Sequence, residues 1–247
     1  MSQPPKIILH WLTQSRAHRI VWLLEELELP YELKIYHRTK AYRSPPELRA
    51  LHPLGRSPVL EVINDGKSKL IVESGHIIQY LVENFDYKKK FAVENADDKE
   101  EIEFILHFTE ASLQSGLVAI LVNNVAKGKA PWGLQFLAGA ITGSINKGFY
   151  EPQLSENLNF LESKIKQQHE LGRKYFVGDK LSEADIILIF PIYSNLFADA
   201  QRSDKIFQKP IAELFPHLHK WTQEITKEPK LLKANEVIES LDQSAKL

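Results

Sequence analysis

The chain has 247 residues, enough for one large domain or two smaller domains with a sizeable core. Lys and Arg total 31 against 32 Asp and Glu, so no long-range field favours nucleic acid or a charged membrane. The chain contains no cysteine, which excludes disulfides, thiolate metal sites and a cysteine nucleophile. Any thiol chemistry must therefore come from a ligand.

The two ends of the sequence bear on location. The N-terminal apolar run at residues 7–12 is too short for a signal-peptide core, and no stretch approaches the roughly 20 residues of a membrane span. We therefore expect a soluble, cytoplasmic protein without a transmembrane segment. The last residues, Ala245-Lys246-Leu247, are a conservative variant of the Ser-Lys-Leu peroxisomal address. Peroxisomal import and a plain helix end are both left open.

The first third of the chain alternates strand and helix patterns. Residues 6–12 predict a buried strand and residues 31–36 a second one. Between them, apolar residues at i, i+3, i+4 and i+7 predict a helix that ends near residue 30; these are Ile20, Leu23, Leu24 and Leu27. A strand, a helix and a strand in this order predict a right-handed crossover with parallel strands. A short helix is expected to start at Pro45-Pro46 and to stop before Pro53.

A proline and a tight turn organise the next segment. Ser57-Pro58 opens an alternating run over residues 59–63, which predicts a strand whose first residue is a proline. A cis peptide bond is expected there. Asn64-Asp65-Gly66-Lys67 predicts a tight hairpin turn, because these residues accept positive φ angles. A second strand, at residues 70–72, must follow the turn.

A helix entrance follows this hairpin. Glu73-Ser74-Gly75 precedes a helical apolar pattern that extends to about Phe85, so Ser74 is expected to be the N-cap. A hydroxyl, free backbone N–H groups and a helix dipole would then point at an incoming carboxylate. Together with the proline turn, this entrance predicts a binding edge for a small zwitterionic peptide.

The rest of the chain is predicted to be helical after a polar linker at residues 86–98. Leu181 to Ile186 forms a capping box with a hydrophobic staple, in which Ser182 is the cap and Asp185 reaches back. The helix that follows is apolar all round and should lie in the core, with a kink at Pro191. Residues 123–152, rich in Gly and Pro, predict either a lid or a surface excursion.

The order of these elements resembles the cytosolic glutathione transferases, and the match covers nearly the whole chain. The stretches W-L-T-Q-S-R-A-H-R-I-V-W-L-L-E-E-L, P-P-E-L-R-A-L-H-P-L-G-R-S-P-V-L and E-S-G-H-I-I-Q-Y-L look most like a theta-like subgroup shared by fungi and bacteria. The resemblance implies an α/β thioredoxin-like domain at residues 1–85. It also implies an all-α domain at residues 97–247, which carries the acceptor-substrate wall and the contacts of a homodimer.

The resemblance implies a glutathione site on the first domain. The backbone of Ser57 would pair with the cysteinyl unit like an added strand. Glu73 would face the γ-glutamyl ammonium, and Ser74 would face the neighbouring carboxylate. Arg56 would stand near the glycyl carboxylate. The roles of the nearby Arg43 and His52 are left open, as is that of Glu110 in the second domain.

The resemblance also implies a Tyr or Ser hydroxyl at the end of the first strand or the start of the first helix, where it donates a hydrogen bond to the thiolate. No Tyr precedes Tyr31, which excludes a tyrosine-type enzyme. Ser15 is the candidate, because hydroxyl, N–H groups and dipole converge at a helix entrance. Thr13 is its rival.

The expected function is conjugation of glutathione, as cosubstrate, to hydrophobic electrophiles, with peroxidase activity as a variant and detoxification as the purpose. The acceptor cleft is expected between the domains, with mostly apolar walls: Trp11, Leu12, His107, Ala111, Gln114 and Leu117. No metal is expected, since the nine histidines show no ligand spacing. The alternatives are a non-catalytic ligand-binding or interaction module and a glutathione-dependent disulfide reductase.

Overall fold

This computed structural model describes residues 4–244 of the chain. Contacts between residues divide the chain into two compact units. The first unit joins the residues up to Val93 with those from Thr226 onward, and the second is Glu94–Ile225. The first unit contains the sheet and the second is helical, so the α/β and all-α predictions for the two halves are confirmed.

The sheet of the first unit has four strands in the order β2-β1-β3-β4. The strands are β1 (Lys6–Leu12), β2 (Glu32–Tyr36), β3 (Val59–Asn64) and β4 (Lys67–Val72). β1 and β2 are parallel, whereas β1 pairs antiparallel with β3, and β3 with β4. The predicted parallel pair and the predicted hairpin are both confirmed.

The turn between β3 and β4 has the predicted chemistry. Asp65 and Gly66 both have positive φ angles, 48° and 74°. Two successive positive φ angles are typical of the tight turn whose twist matches the twist of the strands. Inward-facing Leu9, Leu60 and Ile71 are fully buried at the centre of the sheet. The hairpin therefore places one apolar row of each strand in a common core.

Three helices complete the first unit in the predicted order: α1 (His18–Glu26), α2 (Pro46–Leu51) and α3 (Ser74–Phe85). α3 begins one position earlier than predicted. Its N-cap is Glu73, and Ser74 is the first helical residue. The prediction that Ser74 is the N-cap is therefore wrong, although its hydroxyl and N–H group still lie in the first turn.

A fourth helix, α12 (Pro229–Ser244), belongs to the first unit. It packs against α1, where His18 Nε2 and Asn235 Oδ1 are 2.8 Å apart, and Lys233 pairs with Glu25 at 2.6 Å. Leu231 of α12 is fully buried. The structure thus differs from the predicted domains at residues 1–85 and 97–247, since α12 belongs to the first unit. The physical reason is that α1 has apolar residues around most of its circumference, so its outer side needs a cover.

The second unit begins with a continuous helix at Ala96–Lys129. It consists of α4 (Ala96–Phe108), a π-helical segment (Thr109–Gln114) and α5 (Ser115–Lys129). The remaining helices are α6 (Gln135–Ile145), α7 (Glu151–Glu170), α8 (Glu183–Ile189), α9 (Ala200–Phe207), α10 (Ile211–Leu214) and α11 (Pro216–Ile225). The segment predicted as a lid or excursion therefore contains the end of α5, all of α6 and the start of α7.

One stretch of this continuous helix is long and apolar enough to cross a membrane, judged by length and composition alone. Inside the protein, 39% of that 18-residue window is buried. A single such helix is a weak indication, because core helices of soluble proteins pass the same test. The predicted absence of a transmembrane segment therefore stays a prediction.

The capping box at the start of α8 is confirmed. Asp185 Oδ2 accepts from the backbone N–H and the hydroxyl of Ser182, both at 3.1 Å. Its Oδ1 accepts from Phe176 N and Trp221 Nε1, also at 3.1 Å. Burial raises the pKa of Asp185 to about 6, while these bonds oppose the rise. One carboxylate therefore ties a loop, a helix start and α11 together.

α8 ends before Pro191, where a π-helical segment (Phe190–Phe197) replaces the predicted kink.

We expect Asp185→Asn to lower the free energy of unfolding by about 2–4 kcal/mol at neutral pH, because an amide NH₂ would face N–H donors in a buried site. Urea denaturation followed by circular dichroism measures this change. Asp179→Asn, at an exposed position, is the matched control and should change little. Equal stability of the two variants would contradict the role given to Asp185.

Candidate functional site

The candidate site lies where β1 ends and α1 begins. Gln14, in the connecting loop, has a positive φ of 52°, which turns the chain sharply after β1. Ser15 follows and is 8% exposed. Its hydroxyl accepts from Ala17 N at 3.3 Å, and Ala17 is the N-cap of α1. The Ser15 hydroxyl therefore lies at the positive end of a helix, as predicted.

The second part of the site is the turn before β3, where the Ser57–Pro58 peptide bond is cis, as predicted. The Ser57 hydroxyl donates to the carbonyl of His10 at 3.2 Å and accepts from Leu12 N at 3.3 Å. It also lies 3.3 Å from the hydroxyl of Ser15. Ser57 thus fastens this turn to the last residues of β1 and brings the two predicted serines into contact.

The direction of the bond between the two serines follows from counting protons. A serine hydroxyl carries one proton. The Ser57 proton is directed to the His10 carbonyl, so Ser15 must be the donor in the bond to Ser57. Ser15 meanwhile accepts from Ala17 N, so its single proton serves the bond to Ser57 and must turn away from Ser57 to reach a ligand. A thiolate next to Ser57 could take this proton as a hydrogen bond.

The rival residue, Thr13, is bound to a different strand. Its hydroxyl accepts from Arg38 N at 3.3 Å, and its backbone N–H donates to Tyr36 O at 3.0 Å. Like Ser15, it is buried. The two candidates therefore have different surroundings: Thr13 contacts the chain after β2, and Ser15 contacts the cis-proline turn.

Arg38 holds the loop that carries both candidates, a role that no sequence motif indicates. Its guanidinium donates to three backbone carbonyls: Thr13 at 3.0 Å, Gln14 at 3.0 Å and Tyr42 at 3.1 Å. Burial lowers the pKa of Arg38. A planar group with several donors suits three carbonyl oxygens better than an ammonium would.

The third part of the site is the entrance of α3. Glu73 has an exposed side chain and a φ of 70°, a conformation that is unusual for a residue with a side chain. Ser74 is 1% exposed, and its hydroxyl has no hydrogen-bond partner within residues 4–244. Buried polar groups are usually paired. An unpaired hydroxyl in the first turn of a helix therefore suits an anionic ligand.

The remaining predicted residues are less constrained. Arg56 and Arg43 have exposed side chains. His52 is half-buried, and its Nδ1 accepts from Leu54 N at 3.4 Å, which is a local turn contact. Among the predicted acceptor-wall residues, Trp11, Leu12, Gln114 and Leu117 are buried, while His107 and Ala111 are exposed. These placements leave their roles as predictions.

A polar chain crosses the sheet from buried His10 and Tyr36 to exposed Ser68. His10 Nδ1 lies 2.9 Å from the hydroxyl of Tyr36, His10 Nε2 lies 3.0 Å from Glu61, and Ser68 donates to Glu61 at 2.6 Å. Glu61 can only accept, so His10 donates through Nε2 and accepts from Tyr36 through Nδ1. The four residues come from β2, β1, β3 and β4, which is the order of the strands. The chain therefore joins the whole sheet.

A cavity of about 610 Å³ lies beside β2 and α2 rather than at this site. Its lining is Lys34, Ile35, Tyr36, His37, Pro45, Glu47 and Leu51. None of the predicted glutathione residues is among them. This cavity is an open groove along the edge strand, and the hydrogen-bond geometry, not the cavity, marks the candidate site.

No cluster of three or more His, Asp or Glu side chains is placed to hold a metal within the described part of the chain. Two histidines do meet, since His169 Nδ1 lies 2.9 Å from His217 Nδ1. Burial lowers the pKa of His169. The expectation that the protein uses no metal stays a prediction.

Comparison with known proteins identifies the family. A family model for the glutathione S-transferase N-terminal domain matches residues 4–83, and one for the C-terminal domain matches residues 150–229. The chain belongs to the glutathione S-transferase family. It is 35% identical over 240 residues to glutathione S-transferase 1 of Saccharomyces cerevisiae. This match covers 96% of this chain and 97% of the yeast protein.

Solved glutathione S-transferases share the fold. A glutathione S-transferase structure from Actinobacillus pleuropneumoniae matches with a TM-score of 0.68 and 30% sequence identity. The match covers 94% of this chain and 93% of that chain. A glutathione transferase homologue from Lodderomyces elongisporus, solved with two GSH per subunit, has a TM-score of 0.71 at 23% identity. That match covers 94% of this chain and 98% of the other. The predicted family and its thioredoxin-like plus helical fold are thus confirmed.

In this glutathione S-transferase, we expect Arg38→Lys to loosen the Thr13–Gln14 loop, because an ammonium cannot reach all three carbonyls in the guanidinium geometry. Hydrogen exchange at the backbone N–H groups of residues 13–16 should become at least about tenfold faster, since local opening costs less when hydrogen bonds are lost. Arg49→Lys, at an exposed position, should leave exchange unchanged. Unchanged exchange in Arg38→Lys would contradict the role of Arg38.

His10 should make stability depend on pH. Burial lowers the pKa of His10, although Glu61 opposes this, so the folded state protonates His10 at a lower pH than the unfolded state, which protonates near pH 6.5. Stability from His10 is thus present above this pH and is lost as pH falls below it, by at most about 1.4 kcal/mol per pH unit. Urea denaturation between pH 5 and 7 measures the slope.

We expect His10→Gln to reduce this slope, because glutamine does not titrate. His18 and His169 also have lowered pKa values and will leave part of the slope in place. His107→Gln, at an exposed position, is the matched control and should keep the wild-type slope. A His10→Gln slope equal to that of wild type would show that His10 titrates alike in both states.

Proposed function

We propose that this protein is a serine-type glutathione transferase, in which Ser15 donates a hydrogen bond to the thiolate of bound glutathione. The proposal rests on the buried Ser15 hydroxyl, which lies 3.3 Å from Ser57 at the cis-proline turn. Its family relatives include a homologue solved with GSH, which supports glutathione as the ligand. The geometry favours Ser15 over Thr13, because Ser15 contacts Ser57 at the cis-proline turn, whereas Thr13 contacts Arg38 in the chain after β2.

Glutathione would bind along the edge formed by the cis-proline turn and the α3 entrance. The backbone of Ser57 would pair with the cysteinyl unit, since a cis-proline turn leaves peptide groups open to an extended ligand. The unpaired Ser74 hydroxyl and the first N–H groups of α3 would bind the γ-glutamyl carboxylate. The exposed carboxylate of Glu73 would face the ammonium, and Arg56 the glycyl carboxylate.

The chemistry is a change of thiol pKa. A free thiol has a pKa near 8.5, and lowering it by about two units corresponds to roughly 2.7 kcal/mol of thiolate stabilisation. The proton leaves to solvent, and Ser15 and the α1 dipole stabilise the remaining negative charge on sulfur. The sulfur lone pair then forms a bond to an electrophilic carbon, whose leaving group departs with the bonding electrons. Ser15 acts as a donor and never as a nucleophile.

The acceptor is proposed to be a hydrophobic electrophile, with organic peroxides as a second acceptor class and detoxification as the purpose. The proposed cosubstrate is glutathione, and no further cofactor is proposed. A homodimer is proposed from the family resemblance. A cytoplasmic location is also proposed, with peroxisomal import as the alternative. The tripeptide Ala245-Lys246-Leu247, on which import depends, lies outside the described residues.

We expect the bound thiol of glutathione to have a pKa about two units below that of the free thiol, because donor and dipole favour the thiolate. Ultraviolet thiolate absorbance against pH measures it. Ser15→Ala should return the pKa close to the free value. Thr13→Ala, the matched control, should retain most of the lowering.

The outcomes of this titration separate the alternatives. If glutathione binds with an unshifted thiol in the wild-type protein, the enzyme proposal fails and a non-catalytic binding module is the better account. If Thr13→Ala alone restores the free pKa, the donor has been misassigned. If Ser15→Ala loses conjugation but keeps disulfide reduction, the protein is a glutathione-dependent reductase.

A further inference from the structure

The chain between the end of β2 and the cis-proline turn carries an excess of positive charge. Residues 37–56 contain one acidic residue, Glu47, although the whole chain has 32 Asp and Glu against 31 Lys and Arg. The basic residues of this segment are Arg38, Lys40, Arg43, Arg49 and Arg56. A local excess of this kind attracts anions even when the net charge of the protein is close to zero.

Carboxylates of the protein do not neutralise this excess. Within residues 4–244, no ion pair joins Arg43, Arg49 or Arg56 to an Asp or Glu, and Glu47 has no cationic partner. All three arginines are exposed. The guanidinium of Arg38 is bonded to backbone carbonyls, which are neutral acceptors. The segment therefore keeps its positive charge in the folded protein.

Two of the exposed arginines flank one hydrogen bond. The Ser44 hydroxyl donates to the carbonyl oxygen of Gly55 at 2.5 Å, which ties the chain before α2 to the turn before β3. Arg43 directly precedes Ser44, and Arg56 directly follows Gly55. The backbones of these two arginines are therefore held close together, although they are distant in sequence.

The third exposed arginine packs against the same turn. Gly55 has a φ of 55°, and a Cβ atom added there would come within 3.2 Å of Arg49 Cβ and 3.5 Å of Arg49 Cγ. Glycine permits both this backbone conformation and this close approach of α2. The absence of a side chain at position 55 thus brings Arg49 next to Arg56.

Arg43 extends from a turn that is ordered before any ligand binds. Tyr42 N donates to Thr39 O at 2.8 Å, and Thr39 N donates to Arg43 O at 2.9 Å. The Thr39 hydroxyl accepts from Arg43 N at 3.2 Å. Arg49 extends from α2, whose backbone is likewise fixed. Ordered backbone reduces the entropy cost of bringing several guanidinium groups to one anion.

Glutathione alone leaves part of this arginine cluster, defined as Arg43, Arg49 and Arg56, without a partner. In the proposed site, Ser57 pairs with the cysteinyl unit and Arg56 faces the glycyl carboxylate. That carboxylate is the one negative group of glutathione beyond the cysteinyl unit. A guanidinium binds a carboxylate through two parallel hydrogen bonds, so one carboxylate satisfies one arginine in full. The other two arginines suit a further carboxylate at the same end of the peptide.

We propose that the site prefers γ-glutamyl-cysteinyl peptides that carry an additional carboxylate beyond the cysteinyl unit, and that Arg43 and Arg49 bind this carboxylate. The inference rests on the proposed function, since it takes the cysteinyl unit to pair with Ser57. It gives that site a substrate class: thiol peptides with an acidic third residue. Ser15 and the sulfur act as they do with glutathione, so the reaction is unchanged.

Three thiol tripeptides test the preference: γ-Glu-Cys-Glu, γ-Glu-Cys-Gln and glutathione. Isothermal titration calorimetry on the full chain at low ionic strength measures each dissociation constant. γ-Glu-Cys-Glu should bind at least about threefold more tightly than γ-Glu-Cys-Gln, because exposed ion pairs contribute modestly and the two peptides have nearly the same shape. γ-Glu-Cys-Gln and glutathione should bind alike, since each has one carboxylate at this end.

Arginine variants assign the preference to the cluster. Arg43→Gln and Arg49→Gln should each lower the ratio of the γ-Glu-Cys-Glu affinity to the γ-Glu-Cys-Gln affinity, and the double variant should bring this ratio close to one. Arg173→Gln, at an exposed position in the second unit, is the matched control and should keep the wild-type ratio. A ratio cancels any general loss of peptide affinity, so it reports recognition of the added charge.

Salt gives a second readout of the same interaction. In wild type at about 0.5 M NaCl, the affinity ratio should fall toward one, since salt screens the attraction between exposed charges. The affinity of γ-Glu-Cys-Gln should fall less than that of γ-Glu-Cys-Glu.

Two results would overturn the proposal. The first is equal affinity of wild type for the two peptides, which would make the arginine cluster a solvated surface. The second is a preference that survives unchanged in the double variant, which would place the acidic group against other residues.

Failure of the proposed function has a different signature. If glutathione binds with an unshifted thiol, the transferase proposal fails, but calorimetry still decides the preference, because binding does not require a thiolate. If none of the three peptides binds, both proposals fail.

Discussion

The hydroxyl of Ser57 connects two parts of the chain that are far apart in sequence, and the candidate site depends on this connection. By bonding to His10 O and Leu12 N, it fixes the cis-proline turn against the end of β1. The same hydroxyl accepts the proton of Ser15. Arg38 secures the loop from the opposite side. The proposed donor is therefore held at both ends before any ligand arrives, which reduces the cost of ordering it on binding.

Local physics made most of the first unit, and one helix start of the second unit, predictable. Apolar periodicity located β1 and α1, the Asn-Asp-Gly turn fixed the hairpin, and the Ser-x-x-Asp spacing located the capping box at Ser182. Long-range packing was not predictable in this way. Nothing local to residues 229–244 indicates that α12 packs against α1, and no spacing rule links His10 to Glu61 across two strands. The start of α3 was misplaced by one residue, because Glu73 adopts a backbone conformation that its residue type disfavours.

The candidate site was predictable in its residues but not in their connections. The sequence indicated both Ser15 and Thr13 as candidates for the thiolate donor, since each lies near the start of α1 and carries a hydroxyl. Only three-dimensional partners separate them: Ser57 for one and Arg38 for the other. Arg38 itself gave no signal, because its role lies in its side-chain geometry toward backbone carbonyls.

The placement of α12 has a consequence for how the protein is made. The strands and helices of the first unit are synthesised early, but the helix that covers α1 is synthesised only after the whole second unit. Until then, the apolar outer side of α1 has no cover, and Glu25 lacks Lys233. The N-terminal unit therefore cannot complete its structure before the second unit has been translated. Nascent chains that pause between the two are the species most exposed to aggregation and most in need of chaperones.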